Sequence, residues 1–244
     1  MKTNIKICGL TRPEDVEFLG EMKIDFAGFN FVPGSPRFLA RDEAKKLLRH
    51  LPAGIEAVGI FADADADEIS EILKEVPLDI IQFHGREPPH FCERFALPYF
   101  KVVRVKKAIN FHYLSLYRPR AFLLDTFIPY TRGGTGKTFN WELALEAKKQ
   151  PVPILLAGGL KAENVGAAVA KVKPWGVDVA SGVESRPGIK DRLKMKAFVE
   201  SVRAAEKISY AGLQLRRNPL PFAKGEREGV RGFPMRGKSR NETG

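Results

Sequence analysis

The sequence has little cysteine and no long run of apolar residues. Of its 244 residues only two are cysteines, Cys8 and Cys92, and neither belongs to a C-x-x-C pair. This pattern argues against a disulfide framework and against a structural zinc site. The longest apolar stretches, such as residues 153–159, are far too short to span a bilayer, and the chain begins without an apolar leader. We therefore expect a cytoplasmic protein with reduced thiols and no contact with a membrane.

Metal-ligand patterns are equally scarce. The four histidines show no spacing typical of metal ligands, so we expect no metal; they are His50, His84, His90 and His112. The net charge of +11 would by itself suggest a nucleic-acid partner, but more than half of it comes from Lys207 onward, where nine Lys and Arg residues face three Asp and Glu. Nucleic-acid binding by the folded part is therefore not favoured.

Short β-type runs recur along the chain and alternate with amphipathic, helix-like stretches. Most of the runs are apolar throughout, as expected for parallel strands that are buried on both faces. Eight strands separated by helices, about 25 residues a unit, predict a single (β/α)8 TIM barrel. A doubly wound open sheet is the alternative, although no G-x-G-x-x-G follows the first strand. The runs are residues 5–8, 26–31, 57–61, 80–83, 99–103, 121–124, 154–157 and 176–179.

The composition changes near the end of the chain. The last helical pattern runs from Lys190 to about Lys207, and it is followed by a segment rich in Gly, Pro and Arg without apolar periodicity. The sequence therefore predicts a catalytic barrel over residues 1–207 and a disordered basic tail over residues 208–244. A solvated extension is favoured for this tail over one that contacts RNA.

Active sites of such barrels lie at the carboxyl ends of the strands. The first strand ends in Cys8, which is either a buried core thiol or, in an electropositive environment, a usable thiolate. The sixth strand ends in Asp125, which directly follows apolar residues; partial burial would favour its neutral form, which can act as a general acid. We expect Cys8 to be the base and Asp125 its partner acid. The glycine-rich residues 132–138 that follow predict a lid.

Other strand ends offer groups that can bind a substrate. Arg37, in a proline-stiffened loop after the second strand, suits a bidentate grip on a carboxylate or is simply exposed to solvent. His84 ends the fourth strand and either contacts the substrate or has only a structural role. The last two strands end in small residues that expose backbone N–H groups, a pattern typical of phosphate sites; the residues are Gly158, Gly159, Ser181 and Gly182.

Many ordered motifs make the chain resemble the phosphoribosylanthranilate isomerase family from about Ile5 to about Val202. Asn30 and Phe83 depart from the usual residues of the family, and residues after about Lys207 have no counterpart in it. The motifs are Lys6–Thr11, Ser35-Pro36-Arg37, Gln82–Gly85, Leu124-Asp125-Thr126, Gly133–Gly136, Phe139-Asn140-Trp141, Leu156–Leu160, Asn164-Val165, Asp178–Glu184 and Pro187–Asp191.

This resemblance implies an Amadori rearrangement of N-(5-phosphoribosyl)anthranilate, a step of tryptophan biosynthesis, with a phosphosugar as the small-molecule partner and no cofactor. It implies that Arg37 holds the anthranilate carboxylate, that the last two loops hold the phosphate, and that His84 and Asp178 lie near the substrate. Two alternatives stay open: another phosphosugar-binding barrel enzyme, or a non-catalytic barrel with a nucleic-acid-binding tail. The sequence allows a monomer or a homodimer.

Overall fold

The computed structural model describes residues 2–105, 108–126 and 141–217, with the backbone alone for residues 126 and 208–217. Eight parallel strands close into a barrel in sequence order, each hydrogen-bonded to the next and β8 to β1. The predicted (β/α)8 barrel is confirmed, and the open-sheet alternative is wrong. The strands are β1 Asn4–Cys8, β2 Phe26–Asn30, β3 Glu56–Phe61, β4 Ile80–Phe83, β5 Tyr99–Val105, β6 Ala121–Thr126, β7 Ile154–Leu156 and β8 Gly176–Val179.

Helices surround the barrel, and their apolar faces pack against the outer faces of the strands in one large buried cluster. None of the helices in the described ranges is both long and apolar enough to cross a membrane. The helices are α1 Pro13–Glu17, α2 Arg41–Leu48, α3 Ala66–Glu75, α4 Pro89–Cys92, α5 Phe111–Leu114, α6 Glu142–Ala147, α7 Ala162–Val172 and α8 Arg192–Arg217.

The barrel interior is filled from its amino-terminal end by a second apolar cluster that includes Phe26, Phe100 and Leu155, with Trp175 packed against it. Arg120 closes this end, because its guanidinium lies 5.4 Å from the Phe26 ring centre and pairs with Glu56. Side chains alternate between the two faces of each strand, so the polar residues above this apolar layer also point inward. The amino-terminal part of the barrel interior is therefore filled by apolar side chains, and the polar side chains lie at the carboxyl ends of the strands.

A small antiparallel hairpin follows β8, with strands β9 Glu184–Arg186 and β10 Ile189–Lys190. The sequence did not predict it, although the Pro187-Gly188 pair between the strands is a common turn signal, and Gly188 has φ +82°. The hairpin places Glu184 and Lys190 opposite each other. It is tied to α1, because the Lys190 N–H donates to Asp15 Oδ2 at 3.1 Å.

The last helix is longer than the sequence predicted. It begins at Arg192 and ends at Arg217, so the boundary predicted at Lys207 lies within a helix. The helical stretch before residue 207 has apolar side chains that pack on the barrel, among them Met195 and Phe198. Residues 218–244, which make up most of the predicted tail, and the predicted lid at 132–138 lie outside the described residues, so both remain predictions.

Candidate active site

A cavity of about 550 Å³ opens at the carboxyl ends of the strands. It combines residues from the ends of all eight strands or the loops that follow them, which is where barrels of this architecture carry their active sites. The structure brings all the sequence-predicted site residues to this one cavity. They are Cys8, Arg37, His84, Asp125, Gly158, Gly159, Asp178, Ser181 and Gly182.

Cys8 is the last residue of β1, and the turn after it depends on Gly9. Gly9 has φ +74°, a backbone conformation that glycine adopts without the steric penalty of a side chain. A Cβ on Gly9 would also lie 2.3 Å from Cδ of Arg37. The glycine therefore allows the chain to turn directly after Cys8. It also lets the Arg37 side chain pack against the backbone of Gly9.

Cys8 is partly exposed in the cavity, and charged side chains surround its thiol. Desolvation by the surrounding protein raises the pKa of Cys8 above its ordinary value, because it disfavours the thiolate. Lys6 and Lys190 lower this pKa, while Asp178 raises it. The cations that a usable thiolate would require are thus present, although the sequence could not name them, and desolvation outweighs their effect on the pKa of Cys8. The net direction of the pKa shift of Cys8 therefore favours the neutral thiol over the thiolate.

Arg37 is held in place by a buried carboxylate. Its Nε donates to Oε1 of Glu184 at 2.8 Å and its Nη2 to Oε2 at 2.6 Å. Glu184 also accepts a hydrogen bond of 2.8 Å from Lys190 Nζ, and these two side chains are almost completely buried. Within the described residues Nη1 of Arg37 has no protein partner. One edge of the guanidinium is therefore fixed by the protein, and the other edge can bind a carboxylate in the cavity.

Asn30 explains how the loop before Arg37 is ordered. Its Oδ1 accepts from the N–H of Val32 at 2.7 Å, and its Nδ2 donates to Oγ of Ser35 at 3.1 Å. Ser35 Oγ in turn accepts from the backbone N–H of Arg37 at 3.2 Å. The polar residue at the end of β2, a departure from the family pattern, thus fixes the loop that carries the arginine.

Asp125 and His84 lie on the opposite side of the cavity from β1. Nε2 of His84 is 3.7 Å from Oδ2 of Asp125, too long for a hydrogen bond but close enough for an ion pair when the ring is protonated. The other ring nitrogen, Nδ1, lies 3.2 Å from Nε2 of Gln82. If the Gln82 amide donates there, the neutral ring carries its proton on Nε2, facing the carboxyl group. His84 thus contacts the predicted acid rather than standing apart from the site.

The loops after β7 and β8 form another part of the cavity rim. Gly158 and Gly159 both have positive φ values, +79° and +65°, and no acceptor within the described chain is recorded for their N–H groups. Asn164, in the first turn of α7, fixes this loop by donating to the Gly159 carbonyl at 2.9 Å. Free amides beside the start of an eleven-residue helix form a suitable place for a phosphate group.

The two phosphate-side loops also pack tightly against each other. A Cβ on Gly182 would lie 1.9 Å from the carbonyl oxygen of Leu160. No side chain can be accommodated there without moving backbone.

In the described residues there is no group of three or more His, Cys, Asp or Glu side chains that could hold a metal ion.

Comparisons with known proteins agree with this geometry. The sequence model of N-(5'-phosphoribosyl)anthranilate (PRA) isomerase matches residues 5–201. The chain belongs to the PRA isomerase family. Among curated relatives, the N-(5'-phosphoribosyl)anthranilate isomerase of Azotobacter vinelandii is 43% identical over 202 residues, which cover 82% of this chain and 97% of that protein.

Solved PRA isomerases have the same fold. The phosphoribosyl anthranilate isomerase of Thermotoga maritima superposes with a TM-score of 0.75 at 34% identity, covering 83% of this chain and 100% of that one. A second PRA isomerase structure, solved in complex with reduced 1-(o-carboxyphenylamino)-1-deoxyribulose 5-phosphate, gives a TM-score of 0.72 at 32% identity, with 83% and 100% coverage.

Sequence reasoning gave no role to three charged residues of this PRA isomerase family member. Lys6, Glu184 and Lys190 all belong to the motifs that carry the resemblance, but each is explained only by contacts between distant segments. One signal was available for Lys6. It lies between Ile5 and Ile7 in a strand predicted to be buried, and burying its charge costs free energy, as it does for Asp125 at the end of β6. The pairing of Glu184 with Arg37, which are 147 positions apart, had no such signal.

Proposed function

We propose that this protein catalyses the Amadori rearrangement of N-(5-phosphoribosyl)anthranilate to 1-(2-carboxyphenylamino)-1-deoxyribulose 5-phosphate, the third step of tryptophan biosynthesis. The observation that carries the proposal is the meeting of a thiol, a carboxyl group, a fixed arginine and two amide-rich loops around one cavity. Membership of the PRA isomerase family supports the same reaction. The other phosphosugar enzymes and the non-catalytic barrel are therefore disfavoured.

The substrate fits the cavity by its charges. Its carboxylate binds the free edge of Arg37, whose other edge is fixed by Glu184. Its phosphate binds the N–H groups of Gly158, Gly159, Ser181 and Gly182 in the loops after β7 and β8. These two contacts place the ribose between Cys8 and Asp125. Remote binding groups of this kind orient the reacting carbons and limit the motions that must be lost in the transition state.

Asp125 starts the reaction as a general acid. Its protonated carboxyl group donates to the ribose ring oxygen, the bond from C1 to that oxygen breaks, and the anilino nitrogen lone pair forms the C1=N bond of a protonated Schiff base. His84, 3.7 Å from the carboxylate, faces the charge that develops on Asp125 as it gives up its proton. The positive charge on the Schiff base then makes the C2 proton more acidic.

Cys8 completes the reaction as a base. Its thiolate removes the C2 proton, and the electrons of that C–H bond form a C1=C2 double bond as the iminium nitrogen becomes neutral. The resulting enolamine takes up a proton at C1 and loses the C2 hydroxyl proton, which gives the ketone. The cationic Schiff base beside the thiol also favours the thiolate at this step, since an opposite charge stabilises the ionised form.

Two substitutions test these roles. Cys8→Ser and Asp125→Asn should each lower turnover by about 10²- to 10⁴-fold, the usual contribution of one proton-transfer group. Both variants should still bind the reduced product analogue, because neither group supplies its main binding contacts. Turnover is followed as the decay of substrate anthranilate fluorescence.

Cys92 provides the matched control for Cys8. It is buried outside the cavity in α4, and Cys92→Ser should retain turnover close to that of the parent protein. Near-normal turnover of either the Cys8 or the Asp125 variant would contradict the assigned roles. Loss of analogue binding in both would instead indicate that the cavity itself has collapsed.

The location and assembly of the protein also belong to this proposal. We infer a cytoplasmic enzyme that acts as a monomer or a homodimer, and sedimentation of the full chain distinguishes these two states. We further infer that nucleic acid is not a partner. The complete chain should therefore show isomerase activity and no salt-sensitive binding of RNA.

A further inference from the structure

Lys6 is a fully buried charge for which the proposed mechanism has no use. It is the third of the five residues of β1, and its side chain has no exposed surface. Its Nζ lies 2.9 Å from Oδ1 of Asp178 on the neighbouring strand β8, and the strand register places Lys6 opposite Asp178. Burying a lysine is expensive unless it is paired, and pairs of this kind often add little to stability. Its position therefore calls for a role beyond stability.

The ammonium group also lies against the catalytic thiol. Lys6 and Cys8 are two positions apart on β1, so both side chains point into the barrel. A Cβ placed on Gly28 would lie 3.1 Å from Nζ of Lys6 and 3.1 Å from Sγ of Cys8. The glycine opposite Cys8 thus leaves a space that the two groups share. Burial opposes the charged form of Lys6, but Asp178 and Cys8 together raise its pKa above the ordinary value.

We propose that Lys6 is a positioning residue that holds a fixed positive charge against the sulfur of Cys8, anchored from behind by Asp178, and so stabilises the thiolate that removes the C2 proton. The inference rests on the proposed role of Cys8 as the base. It assigns Lys6 no contact with the substrate. It also gives Asp178 a role through the lysine in addition to its place in the cavity wall.

The balance of charge around the thiol favours this role. Three cations and two anions face the site, so one further negative charge, the thiolate, makes the group neutral. The charged residues come from each element packed against the thiol: Lys6 on β1, Arg37 after β2, Asp178 on β8, Glu184 on β9 and Lys190 on β10.

Of these cations Lys6 is the one best placed to donate to sulfur. Lys190 Nζ donates to the Cys8 carbonyl at 2.6 Å, to the Ala180 carbonyl at 3.3 Å and to Glu184 at 2.8 Å, which accounts for all three of its protons. Arg37 is directed to Glu184 along one edge. Among the side chains that the structure describes, Asp178 is the one acceptor hydrogen-bonded to Lys6, so the other protons of its ammonium group are available to the nearby sulfur.

The test measures the thiol directly rather than the reaction. In a Cys92→Ser background Cys8 is the only cysteine of the chain, and its alkylation by iodoacetamide is followed from pH 6 to 10.5. Lys6→Met should move the pH midpoint of alkylation upward by about 1–3 pH units, the usual effect of one nearby charge. At neutral pH the rate should fall by about 10-fold for each unit of this shift. Because the parent midpoint already lies above the ordinary thiol value, the comparison rests on the rates below the midpoint, where both should increase about 10-fold for each pH unit.

Lys101→Met is the matched control. Lys101 on β5 is also a buried lysine, 2.7 Å from Oε2 of Glu87, and it does not line the cavity. Its loss breaks an equivalent ion pair and should leave the alkylation midpoint of Cys8 in place. If Lys6→Met does not fold, the double variant with Asp178→Asn removes both charges together, and it should show a smaller upward shift, because Lys6 acts on the thiol more strongly than Asp178 does.

The outcomes separate this inference from the proposed function. An unchanged midpoint in Lys6→Met, or in the double variant, overturns the role of Lys6 whatever the activity of the enzyme. A shift equal to that of Lys101→Met does the same. An upward shift confined to the Lys6 variants supports the inference even if the parent protein lacks isomerase activity, in which case it is the role of Cys8 in catalysis that fails.

Discussion

Glu184→Gln should separate the binding role of Arg37 from the stability of the barrel. The substitution keeps the shape of the side chain but removes the charge that pairs with Arg37 at 2.6 and 2.8 Å and with Lys190 at 2.8 Å. Two cations then remain buried without their common anion. Breaking a buried pair by removing one partner costs about 3–5 kcal/mol.

This loss has two measurable consequences. For a domain of this size, about 2–4 °C of melting temperature is lost for each kcal/mol, so the variant should melt roughly 6–20 °C lower. Arg37 also loses its fixed edge, and ordering such a side chain on binding costs about 0.5–1.5 kcal/mol. Affinity for the reduced product analogue should therefore fall by about 2- to 12-fold, as measured by calorimetry.

Glu87→Gln is the control for this experiment. Glu87 is a buried carboxylate paired with Lys101 at 2.7 Å, outside the cavity. It should show a comparable loss of melting temperature without the loss of affinity. Equal affinities of the two variants for the analogue would refute the idea that Glu184 orients Arg37. Ribose 5-phosphate, which has no carboxylate, should bind both variants equally.

Two further predictions concern the phosphate rim and the base. Gly182→Ala should weaken binding of inorganic phosphate and of the analogue, since the new Cβ would lie 1.9 Å from the Leu160 carbonyl oxygen. Gly166→Ala is the control: it lies in the middle of α7, its new Cβ would be 3.5 Å from the Ser201 carbonyl oxygen, and it should leave binding intact and stabilise the protein by about 1 kcal/mol. The pH dependence of alkylation reports the thiol alone, because only the thiolate of Cys8 reacts. Because burial raises the pKa of Cys8, alkylation of Cys8 by iodoacetamide should become faster with pH through neutrality, with its midpoint above the ordinary thiol value of about 8.5; a midpoint below pH 7 would contradict this.

Most of the barrel could be predicted because its signal is local. Continuous apolar runs mark strands that are buried on both faces, and the observed strands differ from the predicted ones by at most two residues at any end. The hairpin after β8 was missed because strands of three and two residues show no periodicity. The end of α8 was misplaced because the change of composition after Lys207 was read as the end of the helix, whereas the backbone stays helical through Arg217.

The candidate site was predictable as far as strand ends could locate it. Each parallel strand brings its last residue to the same rim, so Cys8, His84 and Asp125 meet there whatever the details of packing. Partners of these residues could not be predicted in this way. Glu184 reaches Arg37 only because the short hairpin folds back toward the loop after β2, and the direction of the pKa shift of Cys8 depends on burial, which sequence does not measure.

Two of the buried lysine–carboxylate pairs, Lys6–Asp178 and Lys101–Glu87, show how the face of a strand determines what a charge can do. Phe100 and Val102 belong to the interior cluster, so Lys101 between them points outward, where it pairs with Glu87 and donates to the Gly85 carbonyl at 2.9 Å. There it can only hold the loop after β4 against β5. Lys6 lies on the inner face, two positions before Cys8, and the same kind of ammonium group there becomes part of the electrostatic environment of the proposed base. The alternation of side chains along a strand, a property of the backbone, thus decides whether a buried ion pair faces the surrounding helices and loops or the cavity at the carboxyl ends of the strands.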